Sequence, residues 1–319
     1  MMNTIDVRLD NATEFFIMTP MIKSLHDTIK QWTWCGLTGG VIVGEARCGK
    51  SIGVRSLKES IQSRAGEDIP IFRISIGNRD VKTICSVYLR IANKLGFKIK
   101  KSSTSDEMAF LINMHLVEAA ISNSSHQVIL IIDEAQYMTV DQLSVFAEIY
   151  NDLIDAHCNC TVFFVANESQ FEPLAKELIK NENTYLRERF FNHIHAFYGI
   201  RNQKELKSCL KRYDAYVLHH ASHKTATEYY CPKLYESGWR LSDVAATMWS
   251  IYHETCMKPL KHQSWNMSQF TRTTNILLMD YLEKYEIELN DEILEGLIMR
   301  SIEASGIHPN IHAFVGRHV

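Results

Sequence analysis

One stretch of this chain constrains its fold more than any other: Gly44-Glu-Ala-Arg-Cys-Gly49-Lys50-Ser51, set between the apolar run Gly39-Gly-Val-Ile-Val43 and a helix-forming segment that starts at Lys50. Gly44 and Gly49 free the backbone to curl around a phosphate chain with its N–H groups pointing inward. Lys50 is long enough to reach the β- and γ-phosphates of a nucleotide, and the Ser51 hydroxyl offers an oxygen to Mg²⁺. Glu45, Ala46, Arg47, Cys48 and Ile52 complete the stretch that would wrap the nucleotide. The pattern works only between a buried strand and a helix, so it commits the chain to an α/β architecture.

A second motif supports the first. Val128-Ile-Leu-Ile-Ile132 is a strand-length apolar run that ends in Asp133-Glu134-Ala-Gln136. In open parallel sheets ligands gather at the carboxyl ends of strands, which brings Asp133 beside the phosphate loop. We assign Asp133 to Mg²⁺ and Glu134 to orienting and activating the attacking water. The bland alternative is a pair of acids that opens a surface turn. Thr161-Val-Phe-Phe-Val-Ala166 ends likewise in Asn167, either a holder of water or γ-phosphate or a helix cap. Leu186-Arg187-Glu188-Arg189-Phe190 sets two arginines before a further strand, where one of them reaches a neighbouring subunit's nucleotide or both lie in an exposed turn.

Periodicity extends these motifs to a whole-chain reading. Strands at Gly39–Val43, Ile69–Ile76, Val128–Ile132, Cys160–Ala166 and His193–Tyr198 alternate with helices at 21–34, 50–63, 81–95, 106–122, 140–156 and 171–179. Ser105 is the expected cap of the fourth helix. After Gly199 the pattern turns helical, at 203–219, 241–256, 267–285 and 291–304. The expectation is an N-terminal segment and helix over 1–38, an α/β nucleotide-binding core with a five-stranded parallel sheet over 39–200, an all-helical lid over 201–305 and a tail over 306–319.

Composition narrows the class further. At 319 residues with 46% apolar and 22% charged residues, the chain has the makeup of a folded protein rather than a disordered one. The apolar runs are strand-sized, and the start carries no basic, apolar leader, so the sequence reads as cytoplasmic with no membrane association. The eight cysteines are irregularly spaced and read as reduced thiols. His157, Cys158 and Cys160, with His253 and Cys256 downstream, are zinc-ligand types, but no paired spacing repeats, and small apolar residues entering a buried strand are the better account.

The formal charge of −3 conceals a segregation. From Arg47 to Lys101 there are thirteen Lys and Arg against four Asp and Glu; from Ser102 to Ile200 there are four against fourteen. Arg73, Arg79, Lys82, Lys94, Lys98, Lys100 and Lys101 form the basic group. Mixed with hydroxyls, they favour phosphate contact without base reading, hence sequence-independent binding of double-stranded DNA. The alternative is a solvated basic face that pairs with the acidic stretch, within one subunit or between two.

The order of motifs resembles the AAA+ ATPases, and within them the TnsC/TniB group of transposition regulators, including those of CRISPR-associated transposons. Phe16-Ile-Met-Thr-Pro20 and Ile132-Asp-Glu-Ala-Gln136 carry the finer likeness. The resemblance implies Walker A at Gly44, Gly49, Lys50 and Ser51, Walker B at Asp133 and Glu134, sensor 1 at Asn167 and an arginine finger at Arg189, with Arg187 as fallback. It suggests sensor 2 at Arg272, although the glycines that usually flank that arginine are missing. It also implies ATP and Mg²⁺ as cofactors, a homo-oligomeric ring or filament on duplex DNA, and a link between a TniQ-type target selector and the transposase. An origin-initiator or helicase-loader ATPase is the alternative, its usual mark being a winged-helix tail with a β-hairpin; a protein-binding signalling ATPase is a further one.

Overall fold

The computed structural model describes residues 9, 15–57, 60–78, 82–219, 223–285 and 289–307. The chain divides into two compact units, one formed by Ser24–Ala46 and Lys50–Phe197, the other by Met1–Lys23, Arg47–Gly49 and Tyr198–Val319. Arg79 and the tail beyond Ile307 lie outside the described residues.

In chain order the elements that lead through the first unit are α1 (Pro20–Trp34), β1 (Gly39–Gly44), α2 (Lys50–Arg55), β2 (Ser60–Gln62), β3 (Asp68–Ser75), α3 (Ile84–Lys94), α4 (Ser105–Ile121), β4 (Gln127–Asp133), α5 (Val140–Asp155), β5 (Asn159–Asn167), α6 (Glu168–Leu178), α7 (Thr184–Leu186) and β6 (Ile194–Ala196). The sheet order is β2-β3-β4-β5-β1-β6. All neighbours are parallel except β2 and β3, which run antiparallel. Val128 through Ile132 of β4 and Val162 through Val165 of β5 are fully buried, as continuous apolar runs must be in strands covered on both faces.

The sheet therefore has six strands, not five, and the expected helix over 50–63 stops at Arg55. The cause is local turn chemistry. Ser63 Oγ accepts from the N–H groups of Ala65 and Glu67, and Gly66 takes φ +84°, so the chain reverses there and β2 returns along β3 as an edge strand. The cap of α4 is Thr104 rather than Ser105. Its Oγ1 accepts from Glu107 N while Glu107 Oε2 accepts from Thr104 N, a reciprocal pair that closes the first turn. Thr139 and Gln142 do the same for α5.

Trp32 of α1 sits over Gly40, where a Cβ would come within 2.4 Å of the indole. At Gly39 a Cβ would come within 2.4 Å of the Val162 carbonyl oxygen. Two glycines at the start of β1 thus admit a helix on one face and the neighbouring strand's backbone on the other.

The second unit carries α8 (Gln203–Ala215), β7 (Val217–His219), β8 (Lys224–Thr225), α9 (Ala226–Tyr230), α10 (Pro232–Glu236), α11 (Ala245–Tyr252), α12 (Lys258–Leu260), α13 (Met267–Ile276), α14 (Glu283–Tyr285) and α15 (Asp291–Ala304). It is not all-helical: β7 and β8 pair antiparallel, so the expected helix over 203–219 ends at Ala215. Trp265 lies fully buried and stacked flat on Tyr252, ring centroids 3.9 Å apart, with Phe270 against it edge-on. Residues from the start of the chain complete this core. Phe15 packs on Tyr213 and Tyr216, and the Leu9 carbonyl accepts from Asn275 Nδ2 at 2.6 Å. Ile200 and Trp265 exchange backbone hydrogen bonds of 2.9 and 2.7 Å, and a Cβ on Gly199 would come within 2.0 Å of the Trp265 carbonyl oxygen.

Candidate functional site

Strand register assembles the site. β5 lies between β1 and β4, so Gly44 at the end of β1 is paired with Asn167, and Asp133 at the end of β4 with Val165. Ser75 at the end of β3 is paired with Asp133. The phosphate loop, the two acids and Asn167 thus open on one edge of the sheet, the carboxyl edge where parallel sheets place ligands.

After Gly44 the backbone runs through Glu45 and Ala46 into two left-handed turns, Arg47 at φ 60° and Gly49 at φ 110°. Cys48 between them is buried. Conformations of this kind turn successive N–H groups to one side and form an anion-holding concavity. Lys50 is itself buried, and its Nζ donates to the carbonyls of Gly44 at 2.7 Å and Glu45 at 2.6 Å. The ammonium is thereby held at the mouth of the loop. Ile52, by contrast, is 50% exposed on α2.

The Ser51 hydroxyl bonds the Asp133 carboxylate, and Glu134 N donates to Asp133 Oδ1 at 3.0 Å. Burial pushes the Asp133 carboxyl above its usual range and the nearby Glu134 adds to this, while the Ser51 hydroxyl, the Glu134 N–H and Arg55 oppose it. A hydroxyl and a carboxylate side by side are hard oxygen donors, and that donor set suits Mg²⁺.

Glu134 takes a left-handed conformation, φ 63° and ψ 37°, which a non-glycine residue adopts at a cost of roughly 1–3 kcal/mol. Its side chain is held by Gln136, a residue of the same motif to which the sequence alone assigns no role. Gln136 Nε2 donates to Glu134 Oε2 at 2.5 Å, while Gln136 Oε1 accepts from the backbone N–H of Asn167 at 3.1 Å. One buried amide therefore ties the acid that follows β4 to the end of β5. The spacing Glu-x-Gln was in plain view; its partner on another strand was not.

Asn167 occupies the N-cap position of α6 but its side chain makes no capping bond; instead Asn167 Oδ1 accepts from Ser169 Oγ. Arg189 lies in the π-helical turn Arg187–Phe191, where its Nη1 donates to Asn151 Oδ1 at 3.0 Å and its guanidinium lies 4.8 Å from the centre of the Tyr150 ring. Arg187 Nη1 donates to the Ile179 carbonyl at 3.1 Å. Both arginines are thus engaged within their own subunit. Arg272 is exposed on α13, in the helical unit.

The basic residues separate into two kinds. Arg73, half-buried on β3, donates from Nε to the Val54 carbonyl at 3.2 Å. Lys82, Lys94, Lys98, Lys100 and Lys101 are exposed, the last three on the connection from α3 to α4, where Phe97 and Ile99 alternate with them as half-buried neighbours. Among the described residues no cluster of His, Cys, Asp and Glu is set to hold a metal. Cys158 and Cys160 are buried, and burial pushes the Cys160 thiol up to about 12, the opposite of what a thiolate ligand requires.

Residues 38–174 match the family model described as AAA domain. The matched segment lies within the first unit, an α/β P-loop core with a mostly parallel sheet, and a largely helical part follows it. Among solved structures, the ORC2 protein of Aeropyrum pernix in ADPNP–ADP complexes is similar at 14% identity, covering 92% of this chain and 69% of that one, with a TM-score of 0.51. Cdc6p from Pyrobaculum aerophilum is similar at 12% identity, covering 98% of this chain and 88% of that one, with a TM-score of 0.47. The ORC1 protein of Aeropyrum pernix, solved with DNA, is similar at 11% identity, covering 91% and 67%, with a TM-score of 0.48. The curated proteins contain no sequence match. Among the described residues no helix is long and apolar enough to cross a membrane.

Proposed function

We propose that this chain is an ATP-hydrolysing AAA+ protein that assembles on duplex DNA in its ATP-bound state and, as the motif resemblance suggests, links a TniQ-type target selector to a transposase. One observation carries the ATPase reading: a buried lysine on the loop carbonyls, a Ser51–Asp133 pair and an oriented Glu134 share one sheet edge with Asn167. Lys50 would exchange its carbonyl acceptors for phosphate oxygens. Ser51 and Asp133 would hold Mg²⁺, which neutralises charge on the transferred phosphoryl group. Glu134 would accept a proton from the attacking water, and Asn167 would fix that water or the γ-phosphate.

The test is a pair of substitutions assayed on random duplex DNA. Lys50→Ala weakens ATP binding by at least about tenfold, since a buried charge-assisted donor is lost. Glu134→Gln retains ATP binding, slows hydrolysis by about 10²–10⁴-fold and traps a nucleotide-bound assembly on DNA. Unchanged turnover together with no gain in DNA retention would reject the assignment. DNA binding that ATP does not stimulate would favour a protein-binding signalling ATPase.

A second reading, an origin-initiator or helicase-loader ATPase, gains from the β7–β8 hairpin, because an all-helical segment after residue 200 was the sequence argument against it. Co-precipitation with a transposase or with a replicative helicase, each supplied purified, separates the two.

A further inference from the structure

Helix α4 is apolar on two sides but covered on one. Met108, Ile112 and Leu116 are buried against the sheet, as the inner face of a crossover helix must be. On the outer side Phe110, Met114 and Ile121 are 65%, 57% and 58% exposed, at spacings of four and seven residues that keep them on one face. A helix that is apolar all round is normally covered all round. Between this face and α5 runs a groove, and its acidic lining residues are Asp106 of α4 and Glu148 and Asp152 of α5. None of the residues lining it is basic.

The polar groups of the groove are under-compensated in one sense only. Asn113 Nδ2 donates to Asp152 Oδ2, but its own Oδ1 is buried without a partner. Partial desolvation holds the Asp152 carboxyl above its usual range and the neighbouring Glu148 and Asp155 push it the same way, while the Asn113 hydrogen bond opposes them. Carboxylates that crowd one another in a lining with no basic residue gain from an incoming cation. The exposed apolar face gains from incoming apolar side chains at helical spacing.

We propose that the α4–α5 groove docks a basic, amphipathic helical segment of a partner protein, its apolar side chains on Phe110 and Met114 and its lysines or arginines on Asp106, Glu148 and Asp152. The charge of the lining selects the partner's sign, and the exposed apolar face of the 17-residue α4 selects a helix over an extended strand. None of these residues belongs to the nucleotide site.

The experiment uses the full chain and two fluorescein-labelled 16-residue peptides of about four helical turns, both with leucines at helical spacing, one filled with lysine and the other with glutamate. Fluorescence anisotropy should show the lysine peptide binding at least about tenfold more tightly than the glutamate peptide. Phe110→Ser combined with Met114→Lys should weaken that binding about tenfold while leaving ATP hydrolysis and melting temperature unchanged. Glu148→Gln, which leaves the apolar face alone, should weaken the lysine peptide and strengthen the glutamate one. Equal affinity for both peptides, or binding that neither variant alters, overturns the proposal. So does a fall in the protein's own oligomeric mass in the Phe110/Met114 variant without peptide present, which would assign the groove to a second copy of this chain.

Discussion

Glu134 shows how a single residue carries both strain and function. Its left-handed backbone turns the side chain out of the β4 direction, and the amide of Gln136 fixes where the carboxylate then points. Gln136 is a positioning residue in this arrangement. Gln136→Ala should lower kcat for ATP by about tenfold, the cost of misplacing a general base, while the Kd for ATP and the melting temperature stay at wild-type values. A purely structural role would move the melting temperature first. The positions of the acids and Asn167 were legible in the sequence because each follows an apolar run, and that of the lysine because it sits in a spaced glycine pattern. Gln136 was not, because half of its meaning lies in the backbone of Asn167, thirty-one positions along the chain.

At the level of elements, what escaped the sequence reading was set by turns and caps rather than by burial. The apolar runs of β4 and β5 announce themselves, whereas β2 is a three-residue edge strand created by Ser63 and Gly66 in a polar stretch with helical propensity. The shift of the α4 cap by one residue has the same origin, two adjacent hydroxyl residues of which only Thr104 has a glutamate at the right distance. Helix α5 offers a pH test. The Asp152 carboxyl binds its proton more tightly in the folded chain than in the unfolded one, so its contribution to stability falls as pH rises from the unfolded pKa through the raised folded value. Asp152→Asn should therefore raise the melting temperature near neutral pH, and the gain should vanish below about pH 3, where the aspartate is protonated in both states. Thermal melts of the two proteins across that range check it.

Across the whole molecule, the near-neutral total charge resolves into sequence stretches of opposite sign, and the structure sorts the basic group by exposure. Arg73 is engaged with the backbone of its own chain, while Lys98, Lys100 and Lys101 project from one connection. If that connection carries the proposed DNA contact, Lys98→Ala, Lys100→Ala and Lys101→Ala together should flatten the dependence of log K on log salt by about 0.9 for each lysine on a phosphate. Filter binding over a potassium chloride series reads the slope, and an unchanged slope would move the DNA contact elsewhere. The helical unit has a different lesson. Its interior is closed by Leu9, Phe15 and Ile17 from the beginning of the chain as well as by Trp265 and Tyr213 from the end, and Ile200 is stitched to Trp265 immediately after Gly199. It is discontinuous in sequence. A fragment cut to begin at residue 202 would leave the main chain of Trp265 without its partner and the aromatic face of Tyr213 uncovered. Any attempt to produce this unit by itself must graft the opening residues back onto it, which makes circular permutation, rather than truncation, the way to isolate it.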